Sequence, residues 1–256
     1  MHRRLALKLF GGLALCPLCG ATGFGEETHA GSHWSYEGAA GPDKWGSLDA
    51  ANSMCSTGAQ QSPLDIVGSL SARQLALNIG WKKPPDTMVN NGHTIQLDFG
   101  EGGTLHVGDR RYELAQFHFH HPSEHRVNGK GFAMEAHFVN AGVAGGLAVV
   151  GVFMVPGKSN AVFNKIVSTM PSEEGPPIPA DPAIDPNGLL PARRAYYRYE
   201  GSLTTPPCSE TVDWLVLADR IEVAEADIAR FAKLYPLNAR PVQNLNRRFI
   251  LASTRR

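Results

Sequence analysis

From about residue 75 onward the chain alternates apolar and polar positions in short runs, a two-residue period that fits strands half buried against a core. Segments 75–81, 94–99, 104–107 and 112–120 carry strand composition, and Asn90-Asn-Gly-His93 and Glu101-Gly-Gly103 supply turns between them. Further strands are expected at 132–140, 147–155 and 211–218. Helical periodicity is confined to short pieces, about 159–167, 184–189 and 225–234, the last starting near Glu225 and stopping before Pro236. The stretch through Ala59 is rich in Gly, Ala and Ser and carries aromatic anchors at Trp34, Tyr36 and Trp45; it reads as irregular chain folded over a larger body, after which Gln61–Val67 opens the ordered part. The pattern predicts a mainly β fold with short helices, a single domain built on a large central, mostly antiparallel, twisted sheet. The proline-dense run from Pro171 to Pro191 is a surface excursion in this scheme, because no second core follows it.

Composition sharpens the picture in two ways. At 256 residues and 43% hydrophobic content the chain can bury one substantial core. Its 24 basic and 24 acidic residues cancel, and no Lys/Arg block marks a nucleic-acid surface. Residues 1–23 are organised like a cleavable export signal: Arg3, Arg4 and Lys8, then an apolar middle from Leu9 to Leu18, then small residues from Gly20 to Gly23. The apolar stretch is too short and interrupted for a spanning helix, so no stable membrane insertion is expected once it is removed, and residues 24–256 remain as a mildly acidic domain. A retained membrane-associated segment and twin-arginine export are the alternatives; lipidation at Cys16 is disfavoured by the bulky Leu15 before it. Cleavage would remove Cys16 and Cys19. Cys55 and Cys208 would stay, either as one disulfide in an oxidising compartment or as two buried thiols.

The candidate chemistry lies in Gln116-Phe-His-Phe-His120 and Met134-Glu-Ala-His-Phe138. On a strand, His118 and His120 point to one side with Gln116, while Phe117 and Phe119 point to the other. His137 on a neighbouring strand would complete a three-nitrogen site with one tetrahedral position left open, the arrangement of catalytic zinc. Ligating histidines need their second nitrogen oriented by a polar partner, and Gln116 and Glu135 have the parity to serve. An HxH pair alone is more often a satisfied surface pair than a metal site; His137 and the two parity-matched partners shift that balance. His121 should point away from His120, and His125 is either a buried polar brace or a loop residue.

The chain resembles the alpha-class carbonic anhydrases, of the exported bacterial type, in an ordered set of pieces: Gln61-Ser-Pro-Leu-Asp-Ile66, Asn91-Gly-His93, Gln116–His120, Ser123-Glu-His125, Met134-Glu-Ala-His137, Leu147-Ala-Val-Val-Gly151, Ser202-Leu-Thr-Thr-Pro-Pro207 and Asn246-Arg247. The resemblance implies the alpha-carbonic-anhydrase fold and zinc-dependent reversible hydration of carbon dioxide to bicarbonate and a proton, by zinc-hydroxide attack followed by histidine-mediated proton transfer. It implies zinc on His118, His120 and His137, with no organic cofactor. Thr204 would accept a hydrogen bond from the hydroxide and donate one to Glu124; Thr205 would meet solvent or bicarbonate; Val139, Val149, Leu203 and Trp214 would form an apolar wall around carbon dioxide. His93 would be the proton shuttle. It also implies a Cys55–Cys208 bridge, cis bonds at Pro206-Pro207 and Ser62-Pro63, and a periplasmic location, as a monomer or homodimer.

Two other readings use the same residues. A cupin-like site could take His118, His120, Glu124 and His137 around iron or manganese, but leaves the Asn-Gly-His and Thr-Thr-Pro-Pro pieces unexplained. A metal-free binding domain on this scaffold would be expected to lack a ligand, and all three are present.

Overall fold

The computed structural model describes residues 33–253 apart from 83, 102, 143 and 144; the expected export signal, with Cys16 and Cys19, lies outside the described residues. Among these residues, thirteen strands join in one sheet. Its centre is antiparallel, Ile95–Asp98 beside Arg110–His120, then Met134–Gly142, then Leu147–Pro156. Leu147–Pro156 pairs in parallel with Val212–Leu217, and Tyr196–Gly201 closes antiparallel on the far side of that strand. The predicted strands are all present with ends shifted by a few residues. Thr87–Asn90 and Tyr196–Gly201 were not anticipated, nor were short pairings such as Leu70–Ala72 with Leu251–Ser253.

Side-chain alternation divides the sheet into two faces. Phe117, Phe119, Phe138, Val150, Val152, Leu215 and Leu217 enter a large core with Phe163, Ile166 and Phe231, residues of helices Ala161–Thr169 and Glu225–Leu234. Their sequence neighbours Val149, Phe153, Trp214 and Val216 face the opposite way, into a second core with Leu64, Ile66 and Tyr199. The strand Arg110–His120 contains a bulge: its register against Met134–Gly142 shifts between Leu114 and Gln116. Because of it, Tyr112 and Leu114 share a core with Phe117 and Phe119, although their parity in the sequence differs. The extra residue at Ala115 therefore resets the strand so that Gln116, His118 and His120 turn away from the helix-side core.

Local chemistry sets the helix limits. Asn160 accepts from the N–H groups of Val162 and Phe163, an N-cap that starts the helix at Ala161, two residues later than its periodicity suggested. Expected segment 184–189 is only a 3₁₀ turn, Pro186–Leu189, capped by Asp185. The early segment contains short helical turns, Trp45–Leu48 and Met54–Thr57, and its Trp45 packs with Trp34, Tyr36 and the Cys55–Cys208 disulfide. All three anticipated aromatic anchors thus meet in one cluster.

Candidate active site

The sheet register brings the three histidines together. His118 lies directly opposite His137 in the antiparallel ladder, and His120 opposite Glu135. Cross-strand neighbours on one face of such a ladder sit about 4.5–5.5 Å apart at Cβ, so an HxH on one strand and a histidine on the next converge without help from a loop. One ring nitrogen from each of His118, His120 and His137 lies within 4.8 Å of the others.

The second nitrogen of each ring faces an oxygen. His118 Nδ1 is 2.8 Å from Gln116 Oε1, His120 Nδ1 is 2.7 Å from the main-chain oxygen of Asn238, and His137 Nε2 is 3.0 Å from Glu135 Oε1. Oxygens that can only accept require an N–H on that side, which leaves the lone pairs of the other nitrogens aimed inward. His120 Nε2 is buried with no hydrogen-bond partner among the described residues. A buried, orphaned imidazole nitrogen beside two others is the condition a metal ion satisfies, and three neutral nitrogens in a polar-supported pocket fit zinc with an open fourth position. Burial, reinforced by the neighbouring His120 and His137, holds the His118 pKa well below its ordinary value; burial also lowers that of His120, against the pull of Glu124. Both rings are thereby kept in the neutral form a metal requires. His137 goes the other way: burial disfavours its charge, but the Glu135 carboxylate outweighs burial and raises its pKa. The carboxylate that favours a proton on that ring would equally favour a metal cation beside it.

Glu135 is the hub of this support. Burial would raise its pKa, but His125 and His137 beside it overcome that and hold it well below the carboxylate range. Its Oε2 accepts from the N–H groups of Glu124 and His125 at 3.0 and 2.9 Å, and its Oε1 lies 2.8 Å from His125 Nδ1. His125 is fully buried and continues to the Tyr199 hydroxyl at 2.6 Å, so it is the buried brace and not a loop residue in solvent. Gly151 makes room for the hub: a Cβ there would come within 3.0 Å of Glu135 Oε1. His121 lies past the end of the strand, with Nδ1 3.0 Å from the Pro236 oxygen, and takes no part in the metal trio.

Glu124 sits beneath the ligands. Its Oε2 is 3.6 Å from His120 Nε2 and 3.8 Å from His137 Nδ1, while Oε1 accepts the Arg240 main-chain N–H at 2.8 Å. The hydrogen bond expected from Thr204 is not formed: Glu124 Oε2 has no hydrogen-bond partner among the described residues, although Thr204 is buried. That oxygen remains open to a donor. Thr205 is half-buried on the same loop, and its carbonyl accepts the Cys208 N–H. The loop is tied from outside by the Cys55–Cys208 bridge and by Gln61 Nε2, which donates to the Cys208 oxygen at 3.1 Å. Ser62-Pro63 and Pro206-Pro207 are both cis, as is His121-Pro122, which was not anticipated.

The four residues expected to form an apolar wall pack in or against the second core. Val139, Val149 and Trp214 form one row across three strands, Val139 opposite Val149 and Val149 opposite Trp214, with Leu203 packed against the same cluster. Trp214 donates from Nε1 to the Ser202 oxygen at 3.0 Å and meets the His137 ring edge-on at 4.9 Å.

His93 belongs to a different kind of structure. It follows Gly92, whose φ of +82° makes the turn, and its N–H donates to Asn91 Oδ1 at 3.0 Å. Its half-buried ring stacks on Trp34, with centroids 3.6 Å apart and planes 9° from parallel, and lies 5.6 Å from the His33 ring. Burial and His33 lower its pKa, with Glu174 opposing them.

Sequence reasoning missed Asn238, Arg240 and Tyr199 as supports and Gly151 as the space for Glu135. The first two lie on irregular chain more than a hundred residues downstream of the ligands, where periodicity gives no signal.

A sequence profile described as eukaryotic-type carbonic anhydrase matches residues 40–254. The chain belongs to the carbonic anhydrase family. A carbonic anhydrase of Nostoc sp. is 38% identical over 259 residues, covering 98% of this chain and 97% of its own. One from Neisseria gonorrhoeae is 40% identical over 91% of this chain and 94% of its own. Among solved structures, the alpha-carbonic anhydrase of Thermovibrio ammonificans, in complex with the inhibitor sulfanilamide, superposes with a TM-score of 0.84 at 43% identity, covering 86% of this chain and 99% of that one. As an alpha-class carbonic anhydrase, the chain presents the zinc-binding histidines of the family at His118, His120 and His137, and with them the chemistry of carbon dioxide hydration. The cupin-like and metal-free readings fall away with that assignment.

Proposed function

We propose that this carbonic anhydrase works as an exported, periplasmic bacterial enzyme, residues 1–23 being its removable leader and 24–256 its catalytic domain, with His93 as proton shuttle and Glu124 and Thr204 as the orienting pair. The observation that carries the catalytic part is the convergence of three imidazole nitrogens whose opposite nitrogens are each fixed by an oxygen. When bound there, zinc supplies a water acidified enough to act as a nucleophile near neutral pH.

The protein's own groups do the rest. The row of Val139, Val149 and Trp214, with Leu203, offers a small nonpolar substrate an apolar surface beside the histidines. Glu124 Oε2, buried and without a donor, is the acceptor that the Thr204 hydroxyl needs in order to present its own oxygen in a fixed direction; that placement gives the reaction orientation. The Thr204 N–H and the Thr205 hydroxyl serve the oxygens of substrate and bicarbonate. His93, whose pKa burial and His33 lower from its ordinary value, favours the neutral form that can accept the proton through intervening solvent and pass it to buffer. Export is supported by the leader-like composition of the first residues, the Cys55–Cys208 disulfide and the bacterial relatives; among the described residues no helix is long and apolar enough to cross a membrane.

Stopped-flow hydration of carbon dioxide by the purified 24–256 protein, with zinc content measured, tests the catalytic assignment against His118→Ala. Fast hydration that vanishes in the variant is expected. A protein holding one zinc per chain and no faster than buffer would reject it. Fractionation of cells producing the full chain, with amino-terminal sequencing, tests export; retention of the leader on a cytoplasmic protein would count against it.

A further inference from the structure

On the side of Ile95–Asp98 the ladder of the ligand strand stops between its two histidines, while pairing with Met134–Gly142 continues. Pairing of Arg110–His120 with Ile95–Asp98 ends at Gln96 opposite His118. The next residue, Phe119, lies between two zinc ligands, and its carbonyl takes side-chain donors in place of a strand: the Thr94 hydroxyl at 2.6 Å and Asn238 Nδ2 at 2.9 Å. Asn238 Nδ2 also donates to the His93 carbonyl at 3.0 Å, and Asn238 Oδ1 accepts the His121 N–H at 2.7 Å. The same residue's main-chain oxygen orients His120, and its N–H donates to the His121 oxygen. Asn238 is fully buried.

We propose that the Asn238 side-chain amide is a positioning residue for proton removal: it fixes the His93 turn against the zinc-ligand strand and so sets the span that the transferred proton crosses. This rests on reading His93 as the shuttle. The side chain suits the task because two N–H donors and one acceptor lie in one plane, and all three are used. Aspartate would place a carboxylate oxygen against the carbonyls of His93 and Phe119, and an apolar residue would leave the His93 carbonyl and the His121 N–H unpaired in the interior and the Phe119 carbonyl with the Thr94 hydroxyl alone. The Tyr235 hydroxyl also holds the ends of the turn, at Asn90 Oδ1 and the Thr94 oxygen, but among the described hydrogen bonds Asn238 alone reaches the carbonyl of His93 itself. Thr94 holds the strand but follows His93 in sequence, so it cannot by itself fix where the turn sits relative to the downstream chain. On its outer side the His93 ring meets the rings of Trp34 and His33, which pack against it without a hydrogen bond, among the described residues, that would fix its height above the ligand strand.

Asn238→Ala removes the amide and keeps the main-chain oxygen that orients His120. Proton removal follows bicarbonate release, so it enters kcat and not kcat/KM for carbon dioxide. The expected result is a fall in kcat of about tenfold, a smaller fall in kcat/KM, and recovery of kcat with added imidazole buffer. In a double-mutant cycle with His93→Ala, the second substitution should cost little more than the first, because both act on one step. Equal falls in kcat and kcat/KM, or full additivity with His93→Ala, would show a merely structural residue and overturn the inference. Asn238→Ser, which retains a small polar group at the site, is read by the same cycle if the alanine variant does not fold. Should His93→Ala alone leave kcat unchanged in dilute buffer, the shuttle assignment itself fails, an outcome distinct from additivity between two damaging substitutions.

Discussion

His137, a zinc-binding histidine, and His93, the proposed proton shuttle, are held by the molecule in opposite ways. His137 sits mid-strand, paired across the ladder with His118, its Nε2 clasped by a carboxylate that three further contacts, from the Glu124 and His125 N–H groups and the His125 ring, keep in place. Its position follows from register, and register is hard to change because slipping by one residue would turn every side chain over. His93 sits on a turn, half exposed, with its ring against Trp34 from the early segment and its carbonyl on Asn238 from the late one. Three stretches distant in sequence must assemble before it is placed. A metal ligand needs fixed geometry, whereas a group that collects and releases protons needs access to solvent, and the two mountings match those needs.

Substitutions can break this contrast at graded depth. The largest effect is expected from Cys55→Ser. The bridge spans 153 residues and ties the early segment to the Thr204 loop, so its loss should lower stability by about 2–4 kcal/mol, read as a lower midpoint in urea. Activity near the midpoint should fail before sheet structure does if the tail-held parts loosen first; simultaneous loss would erase the distinction drawn here. Next, Glu135→Gln should weaken zinc binding by roughly 10–100-fold, measured by competition with a chelator, while the apolar row of Val139, Val149 and Trp214 stays intact. Removal of His93 by alanine should slow turnover by about tenfold or more with zinc content unchanged, and imidazole buffer should restore it.

The finest test is a pair of opposite pH shifts. Because a shuttle must be neutral to accept a proton, kcat should rise with pH through the His93 pKa, which burial and His33 place below its ordinary value. His33→Gln removes a cause of lowering and should move the midpoint of the kcat profile up; Glu174→Gln removes the opposing carboxylate and should move it down. Midpoints that move together, or not at all, would detach His93 from the profile.

The sheet-held half of the site was legible in the chain and the other half was not, for a physical reason. Strand alternation alone placed Gln116 beside His118 and Glu135 beside His137, and both contacts form. It located His125 only as a choice between brace and loop. The Cys55–Cys208 pairing and the cis prolines came from family resemblance, since neither has a local pattern. Asn238 and Arg240 lie between Pro236 and Pro241, on chain without period, and act through contacts spanning more than a hundred residues. The strand Tyr196–Gly201 was missed where tyrosines alternate with Arg198 and Glu200; its outward residue Arg198 is held by Asp213 on the adjacent strand, a cross-strand pair that one segment cannot reveal. The orienting contact between Thr204 and Glu124 remains the one expected link that the described hydrogen bonds do not include.

The bulge at Ala115 has a further meaning for how this fold can change. It works as a phase shifter: residues 110–114 and 116–120 keep separate counts of inside and outside, so mutations that repack the hairpin end, where Arg110–Glu113 pairs with Thr104–Val107, need not disturb the addresses of the histidines. Deleting one residue there would merge the two counts. Either the hairpin end would turn its tyrosine and leucine to water, or His118 and His120 would be sent among the phenylalanines, where no metal could reach them. In the second case a length change of one residue, with every ligand still encoded, would be enough to end catalysis.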